Sequence, residues 1–122
     1  MDARQDLPAI KNLIKQHPRQ LMQSPLPKLA DFFVVEEQGR IVGCCALEIY
    51  SRRIGEIRSL VVARQFRHRG LATRLIQTCL KKARSQRIYE VLGITSAVKL
   101  FKKNGFRTFH EEKYALLKVL GK

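Results

Sequence analysis

Apolar side chains first recur along the chain with a helical period. Residues 7–14 place theirs on one helical face and predict a first amphipathic helix. We expect Asp6 to cap this helix, Pro8 to help start it and Pro18 to end it. A short second helix is predicted within residues 19–28, where prolines then lead into a loop.

The pattern then changes to that of β-strands. Residues 32–36 and 40–50 are rich in β-forming side chains, and Gln38-Gly39 between them is typical of a hairpin turn. A third strand is predicted over residues 54–62. Together the three segments predict an antiparallel meander.

Helical spacing returns after this meander. A helix is predicted from Gly70 to about Arg84 and a short strand over residues 89–94, which makes a crossover between parallel strands. A further helix over residues 97–103 should end at Asn104-Gly105, and a closing hairpin should follow. The strands of this hairpin are residues 106–110 and 114–120. The predicted fold class is therefore α/β, or α+β, with a mixed sheet and helices on its faces.

Length and composition limit the class of protein. A chain of 122 residues can bury one core, so we expect a single domain over residues 1–122. A composition of 45% hydrophobic and 28% charged residues is typical of a soluble protein, and the apolar runs are too short to span a membrane. The polar N-terminus has no apolar signal-peptide core, so a cytoplasmic location without membrane attachment is expected.

The charge of the chain is strongly positive, with 24 Lys and Arg against 10 Asp and Glu and a formal net charge of +14. Such a charge attracts nucleic acid, anionic membranes and phosphorylated ligands alike. It indicates an anionic partner without identifying it, and a solvated basic surface is the alternative interpretation.

The cysteines and histidines lack the spacing of a metal site, so no metal is expected. Cys44 and Cys45 are neighbours in a predicted strand and should point to opposite faces of the sheet. With Cys79, they are expected to be buried reduced thiols. The histidines are scattered along the chain at His17, His68 and His110.

The segment between the third strand and the following helix has the properties of an anion-binding loop. It reads Arg64-Gln65-Phe66-Arg67-His68-Arg69-Gly70-Leu71-Ala72. Backbone N–H groups in the first turn of a helix are unpaired, and the helix dipole is positive there, so a phosphate can bind to the main chain itself. Gly70 and Ala72 would keep side chains out of its way.

Read in this place, Arg67-x-x-Gly70-x-Ala72 resembles the signature of the GNAT superfamily of N-acetyltransferases. A second block in the order and distance of the family is also similar, and consists of Ala97, Leu100, Phe101, Lys103, Gly105 and Phe106. The resemblance covers essentially the whole chain. It implies a mixed, mostly antiparallel sheet that is splayed between two parallel central strands, with helices on both faces.

The resemblance also implies that acetyl-CoA binds where the sheet splays, near Val62 and Ile94. Its pantetheine arm would pair with main-chain groups of Leu60, Val61 and Val62. Its pyrophosphate would lie on Arg67, His68, Arg69, Gly70, Leu71, Ala72 and Thr73. Phe101 and Lys103 of the second block are also expected at the acetyl-CoA site.

Acetyl transfer to an amine needs a base, because only the neutral amine attacks a thioester. Glu56 resembles the glutamate that serves as base in several GNAT enzymes, and a surface glutamate paired with arginines is the alternative. Strand alternation places Glu56, Arg58 and Leu60 on one face if no bulge intervenes. Arg58 would there grip a substrate carboxylate, or would only neutralise Glu56.

Several acceptors fit this pattern. Residues 41–47 and 56–62 look like the N-acetylglutamate synthase branch of GNAT proteins, which implies glutamate as the acceptor. A protein lysine, a polyamine or an RNA-linked amine is the alternative, and the positive charge would then favour an acidic protein or RNA as partner. A non-catalytic module that binds acetyl-CoA or RNA is a further alternative.

The chain departs from the pattern of the family in two places. The family often has a tyrosine where Phe101 stands, and that tyrosine is the usual proton donor to the departing CoA sulfur. Tyr89, Tyr114, Ser96 or water are the substitutes that the sequence offers. Only residues 1–4 precede the first helix signal, so the first strand of the family is expected to be short or missing. Many GNAT enzymes pair through C-terminal strands, so the resemblance leaves a homodimer through residues 114–120 as one option.

Overall fold

The computed structural model describes residues 3–16, 31–95 and 97–107. Eight elements follow one another along these residues. The helices are α1 (Ala3–Lys15), α2 (Leu71–Ser85) and α3 (Val98–Lys103), and a 3-10 turn lies at Arg64–Phe66. The strands are β1 (Phe32–Glu37), β2 (Arg40–Ile49), β3 (Ile54–Val62) and β4 (Glu90–Leu92).

The four strands form one mixed sheet in the order β1-β2-β3-β4. β1, β2 and β3 pair antiparallel, whereas β3 and β4 pair parallel, so both the predicted meander and the predicted crossover are confirmed. The turn between β1 and β2 places Gln38 at φ 51° and Gly39 at φ 77°. Two successive left-handed residues are the geometry that the Gln-Gly pair predicted for this hairpin.

The first helix begins earlier than the sequence predicted. It begins at Ala3, and Pro8 lies inside it, so the prediction that Asp6 caps this helix is wrong. An internal proline removes one backbone hydrogen bond, and the burial of Ile10, Leu13 and Ile14 offsets this loss.

Other predicted elements are shorter than expected or lie outside the described residues. The predicted strand over residues 89–94 is reduced to β4. Residues 106 and 107 of the predicted closing hairpin lie in no strand. Most of that hairpin, the predicted helix in residues 19–28 and Pro18 lie outside the described residues.

An apolar core lies on each face of the sheet. The α1 face contains Ile10, Leu13, Ile14, Phe32, Cys44, Ala46 and Val61. The α2 face contains Val42, Cys45, Leu47, Ile57, Val62, Leu71, Leu75, Ile76, Cys79, Ala83, Ile88 and Phe101. From Cys44 to Leu47, successive residues of β2 thus point to opposite cores, as a strand requires. Helices cover both faces of the sheet, which confirms the predicted architecture.

The three cysteines are free and buried, as predicted. Cys44 packs on the α1 face and Cys45 on the α2 face, where its sulfur lies 3.5 Å from that of Cys79. Burial raises the pKa of Cys44 to about 12. The hydrogen bond to Cys79 and burial raise the pKa of Cys45 as well. Both groups therefore remain neutral thiols near pH 7.

A β-bulge interrupts β3. Cys44 pairs with Val61 and Ala46 pairs with Arg58, so Ser59 and Leu60 together oppose a single residue of β2. Ser59 takes a left-handed φ of 56°, and its carbonyl accepts a hydrogen bond from the Cys44 thiol at 3.4 Å. The bulge overturns the expectation that Leu60 shares a face with Glu56 and Arg58, because Leu60 instead packs against the core of the α2 face.

Candidate active site

The two parallel strands separate soon after they pair. β4 pairs with β3 only from Ile54 to Glu56, and β3 then continues to Val62. Beyond Glu56, no strand among the described residues pairs with this edge of β3. The main chain of Leu60, Val61 and Val62 therefore lies past the point where β3 and β4 part, as the splayed sheet predicted.

The loop after β3 is fixed to the end of that strand. The Ala63 amide donates to the Val42 carbonyl at 2.7 Å, and the Arg67 Nε donates to the Val62 carbonyl at 3.0 Å. Arg67 is half-buried. Its side chain thus ties the loop to the strand that leads into it, which is a structural reason for an arginine at the first position of the motif.

Gly70 precedes α2 directly and has a left-handed φ of 79°. A Cβ at this position would meet no atom within 4 Å, so the backbone conformation, and not crowding by protein atoms, requires the glycine. The space beside Gly70 is therefore open. His68, also left-handed at φ 66°, lies exposed two residues earlier.

The N-terminus of α2 suits an anion. Among the described residues no side chain caps it, and its first turn contains no acidic residue. Leu71 is buried in the core and anchors this turn, while Ala72 and Thr73 are half-buried. Unpaired N–H groups and the positive end of the helix dipole make such a turn a phosphate site.

One exposed cation of this loop, Arg69, packs over an aromatic ring. The Arg69 guanidinium lies over the Phe66 ring, 5.2 Å from its centroid. Stacking holds the charge near the start of α2, where a phosphate would need it. The loop therefore has the donors and the charge expected for the pyrophosphate of acetyl-CoA.

Glu56 and Arg58 lie on the same face of β3, as predicted, and Glu48 of β2 pairs directly opposite Glu56. An Arg58 Nη donates to the Glu48 carboxylate at 2.6 Å. The two side chains are only 12% and 30% exposed. Arg58 thus forms an ion pair with Glu48, whereas the sequence pattern had indicated Glu56 as the carboxylate that it would neutralise.

Tyr50 connects the two carboxylates. Its hydroxyl donates to Glu56 Oε1 and lies 3.3 Å from Glu48 Oε2. Partial desolvation, the hydrogen bond to Glu56 and the charges of both carboxylates raise the pKa of Tyr50, so the hydroxyl keeps its proton near neutral pH. We call Glu48, Tyr50, Glu56 and Arg58 the β2–β3 polar cluster.

Phe101 lies beside the opening between the strands. It is 5% exposed, and its ring meets that of Phe106 edge to face at a centroid distance of 5.0 Å. A Cβ on Gly93, just after β4, would lie 2.6 Å from the Phe101 ring. Phe101 thus packs an aromatic ring against the chain that follows β4. Lys103 lies exposed at the end of α3, apart from this contact.

The described residues contain no group of three side chains able to hold a metal ion. In the same part of the chain, no helix is long and apolar enough to cross a membrane.

The chain belongs to the family of acetyltransferase (GNAT) domains, whose model matches residues 28–108. It is 30% identical over 91 residues to an uncharacterised N-acetyltransferase of Chlorobaculum tepidum, covering 75% of this chain and 59% of that protein. It is 29% identical over 109 residues to the amino-acid acetyltransferase of Mycobacterium tuberculosis, covering 83% and 63%. The chain thus spans less than two thirds of the length of both relatives.

Among solved structures, the chain is similar to N-acetylglutamate synthase of Neisseria gonorrhoeae in complex with coenzyme A and N-acetyl-glutamate. The TM-score is 0.78 at 26% identity, over 89% of this chain and 28% of that one. The resemblance that the two sequence blocks indicated is therefore confirmed at the level of family and fold.

Proposed function

We propose that this chain is an acetyl-CoA-dependent N-acetyltransferase whose acceptor is the α-amino group of an amino acid such as glutamate. The observation that carries the proposal is the common face of Glu56 and Arg58 on β3, next to the point where β3 leaves β4. The likeness to an amino-acid acetyltransferase and to N-acetylglutamate synthase supports it.

Acetyl-CoA would supply the acetyl group as a thioester. The α2 N-terminus and the loop before it would hold its pyrophosphate through residues 67–73. The β3 main chain at Leu60, Val61 and Val62 would pair with the pantetheine amides, since no described strand occupies that edge.

Glu56 is the proposed general base. An amino acid carries an ammonium group near pH 7 and must lose a proton before it attacks a carbonyl carbon. The Glu56 carboxylate is half-buried, and one of its oxygens accepts the Tyr50 hydroxyl hydrogen bond. The second oxygen has the chemistry to take the amine proton.

Arg58 is the proposed clamp for a substrate carboxylate. A guanidinium carries five N–H donors in a rigid plane, so it can bind Glu48 and a second carboxylate together. The side chain is 12% exposed, and this low exposure strengthens its charge-assisted hydrogen bonds.

Phe101 cannot protonate the departing sulfur. A CoA thiol with an ordinary pKa of about 8.5 leaves adequately as a thiolate, so we propose that water supplies this proton. Tyr89 is 75% exposed, and Ser96 and Tyr114 lie outside the described residues.

A second candidate acceptor is an amine on an acidic protein or an RNA. The observation that favours it is the basic outer surface of two helices that contain no acidic residue. The exposed cations are Arg74, Lys81, Lys82, Arg84, Lys99, Lys102 and Lys103. Activity on such a polyanion should fall steeply as salt is raised, whereas activity on a small amino acid should change little.

Mass spectrometry of acetyl transfer tests the proposal. The protein and acetyl-CoA are incubated with glutamate, glutamine, arginine, spermidine or a lysine peptide. We expect an acetylated amino acid with the wild type and a loss of roughly 100-fold or more in the Glu56→Gln variant. Binding of acetyl-CoA without acetylation of any amino acid would reject the amino-acid acceptor. The next acceptors to test would then be those that the basic surface favours, an acidic protein or an RNA.

A further inference from the structure

We propose that Glu48 and Tyr50 are positioning residues of this site, Glu48 for the Arg58 clamp and Tyr50 for the Glu56 base. The inference rests on the proposed function and extends it to two side chains that the sequence pattern did not single out.

Glu48 determines where the Arg58 guanidinium lies. An arginine has four rotatable side-chain bonds, and holding it in one place has an entropic cost. The 2.6 Å contact with the half-buried Glu48 carboxylate stabilises one arrangement of a side chain that is itself 12% exposed. A charge-assisted hydrogen bond at such low exposure is stronger than a surface ion pair. An arginine held in this way can bind a substrate carboxylate without first being ordered.

Tyr50 separates two carboxylates that the strand register brings together. Glu48 and Glu56 are direct cross-strand partners, and like charges in such a pair repel. The Tyr50 hydroxyl donates to Glu56 and lies 3.3 Å from Glu48, so it offsets this repulsion. Because the hydroxyl stays protonated, it remains a donor and holds one Glu56 oxygen in a fixed direction. The other oxygen is thereby kept in place for the amine.

The β2–β3 polar cluster as a whole also selects the acceptor. The cluster contains two carboxyl groups and one guanidinium, so acidic groups outnumber basic ones. Such a cluster attracts the ammonium group of an amino acid to Glu56 while Arg58 binds its carboxylate. The arrangement fits a zwitterionic acceptor better than an amine that carries no carboxylate.

Steady-state kinetics of Glu48→Gln tests the first assignment, with the acceptor varied at saturating acetyl-CoA. We expect the acceptor KM to rise roughly 10-fold while kcat changes little, because a misplaced Arg58 weakens binding more than proton transfer. Glu48→Asp should recover part of the loss. Glu36→Gln, an exposed carboxylate on β1, is the matched control and should leave both constants unchanged.

Tyr50→Phe tests the second assignment. We expect kcat to fall roughly 10-fold with the acetyl-CoA KM unchanged, since the base loses a hydrogen bond that orients it. Ser85→Ala removes an exposed hydroxyl at the end of α2, away from the cluster, and should behave as the wild type. Urea unfolding of each variant separates an effect on the site from an effect on the fold.

A double-mutant cycle completes the experiment. On an Arg58→Lys background, Glu48→Gln should lose most of its effect on KM, because the guanidinium that it positions is absent. A lower KM in Glu48→Gln would overturn the inference, since Glu48 would then compete with substrate for Arg58. Wild-type kinetics in both Glu48→Gln and Tyr50→Phe would also overturn it and leave the proposed function standing. An inactive wild type would reject both proposals together.

Discussion

The α2 N-terminus and the β2–β3 polar cluster are built in different ways. The first is a continuous segment in which we propose that main-chain groups bind the pyrophosphate, and Gly70 sets its conformation. The second joins side chains from two strands, and its members lie up to ten residues apart in the chain. A main-chain site tolerates change in its side chains, whereas a side-chain cluster depends on each member and on strand register.

The largest effect should come from the cluster. Glu56→Gln should lower the rate of acetyl transfer roughly 100-fold or more and leave acetyl-CoA affinity unchanged, because the base does not contact the pyrophosphate loop. Isothermal titration with acetyl-CoA beside the rate measurement checks this. A parallel loss of acetyl-CoA affinity would show that the two regions are not independent.

A glycine substitution tests the main-chain region in the same way. Gly70→Ala should destabilise the fold by about 1 kcal/mol and weaken acetyl-CoA binding roughly 10-fold, because alanine disfavours the left-handed φ of 79°. Gly39→Ala is a matched control, since Gly39 has φ 77° and equally open surroundings in the β1–β2 turn. It should lose similar stability in urea unfolding and keep its acetyl-CoA affinity. Equal acetyl-CoA affinities in the two variants would contradict a ligand role for the α2 N-terminus.

The contact between Gly93 and the Phe101 ring can be tested by stability measurements alone. Gly93→Ala should cost about 1–3 kcal/mol in urea unfolding, because its Cβ would lie 2.6 Å from the Phe101 ring. The same substitution in a Phe101→Leu background should cost less. An unchanged unfolding midpoint in Gly93→Ala would show that this packing is looser than described.

The buried cysteine on the α1 face should make the stability of the fold depend on pH. Burial raises the pKa of Cys44 from an ordinary value of 9.0 to about 12, so the unfolded chain loses this proton first as pH rises. The free energy of unfolding should therefore decrease between about pH 9 and pH 12. Cys44→Ala should reduce this dependence, as measured by urea unfolding across the range. An identical pH dependence in the variant would exclude Cys44 as its source.

The features that depend on residues close together in the chain could be predicted from the sequence. The meander, the start of α2 at Gly70 and the end of α3 at Asn104-Gly105 all depend on nearby residues with strong conformational preferences. The predicted start of α1 was wrong. Proline usually marks the start of a helix, but this helix continues on the N-terminal side of Pro8.

The non-local part could not be predicted. No glycine marks the bulge in the sequence, because Ser59 itself takes the left-handed φ. Strict alternation without the bulge would place Leu60 on the same face of β3 as Arg58. Glu48 and Tyr50 were missed because only the β2–β3 register brings them to Arg58 and Glu56. The sequence did contain a signal for this pairing, because Glu48 and Glu56 lie at equal distances from the turn between β2 and β3.

The central claim is that Arg58 and Glu56 together select an amino acid. The most direct test compares kcat/KM for glutamate with that for 4-aminobutyrate, an amine that lacks the α-carboxylate, in the wild type and in Arg58→Gln. We expect the wild type to prefer glutamate by roughly 100-fold and the variant to lose most of this preference. The same preference in both proteins would contradict the role of Arg58 and with it the amino-acid site described here.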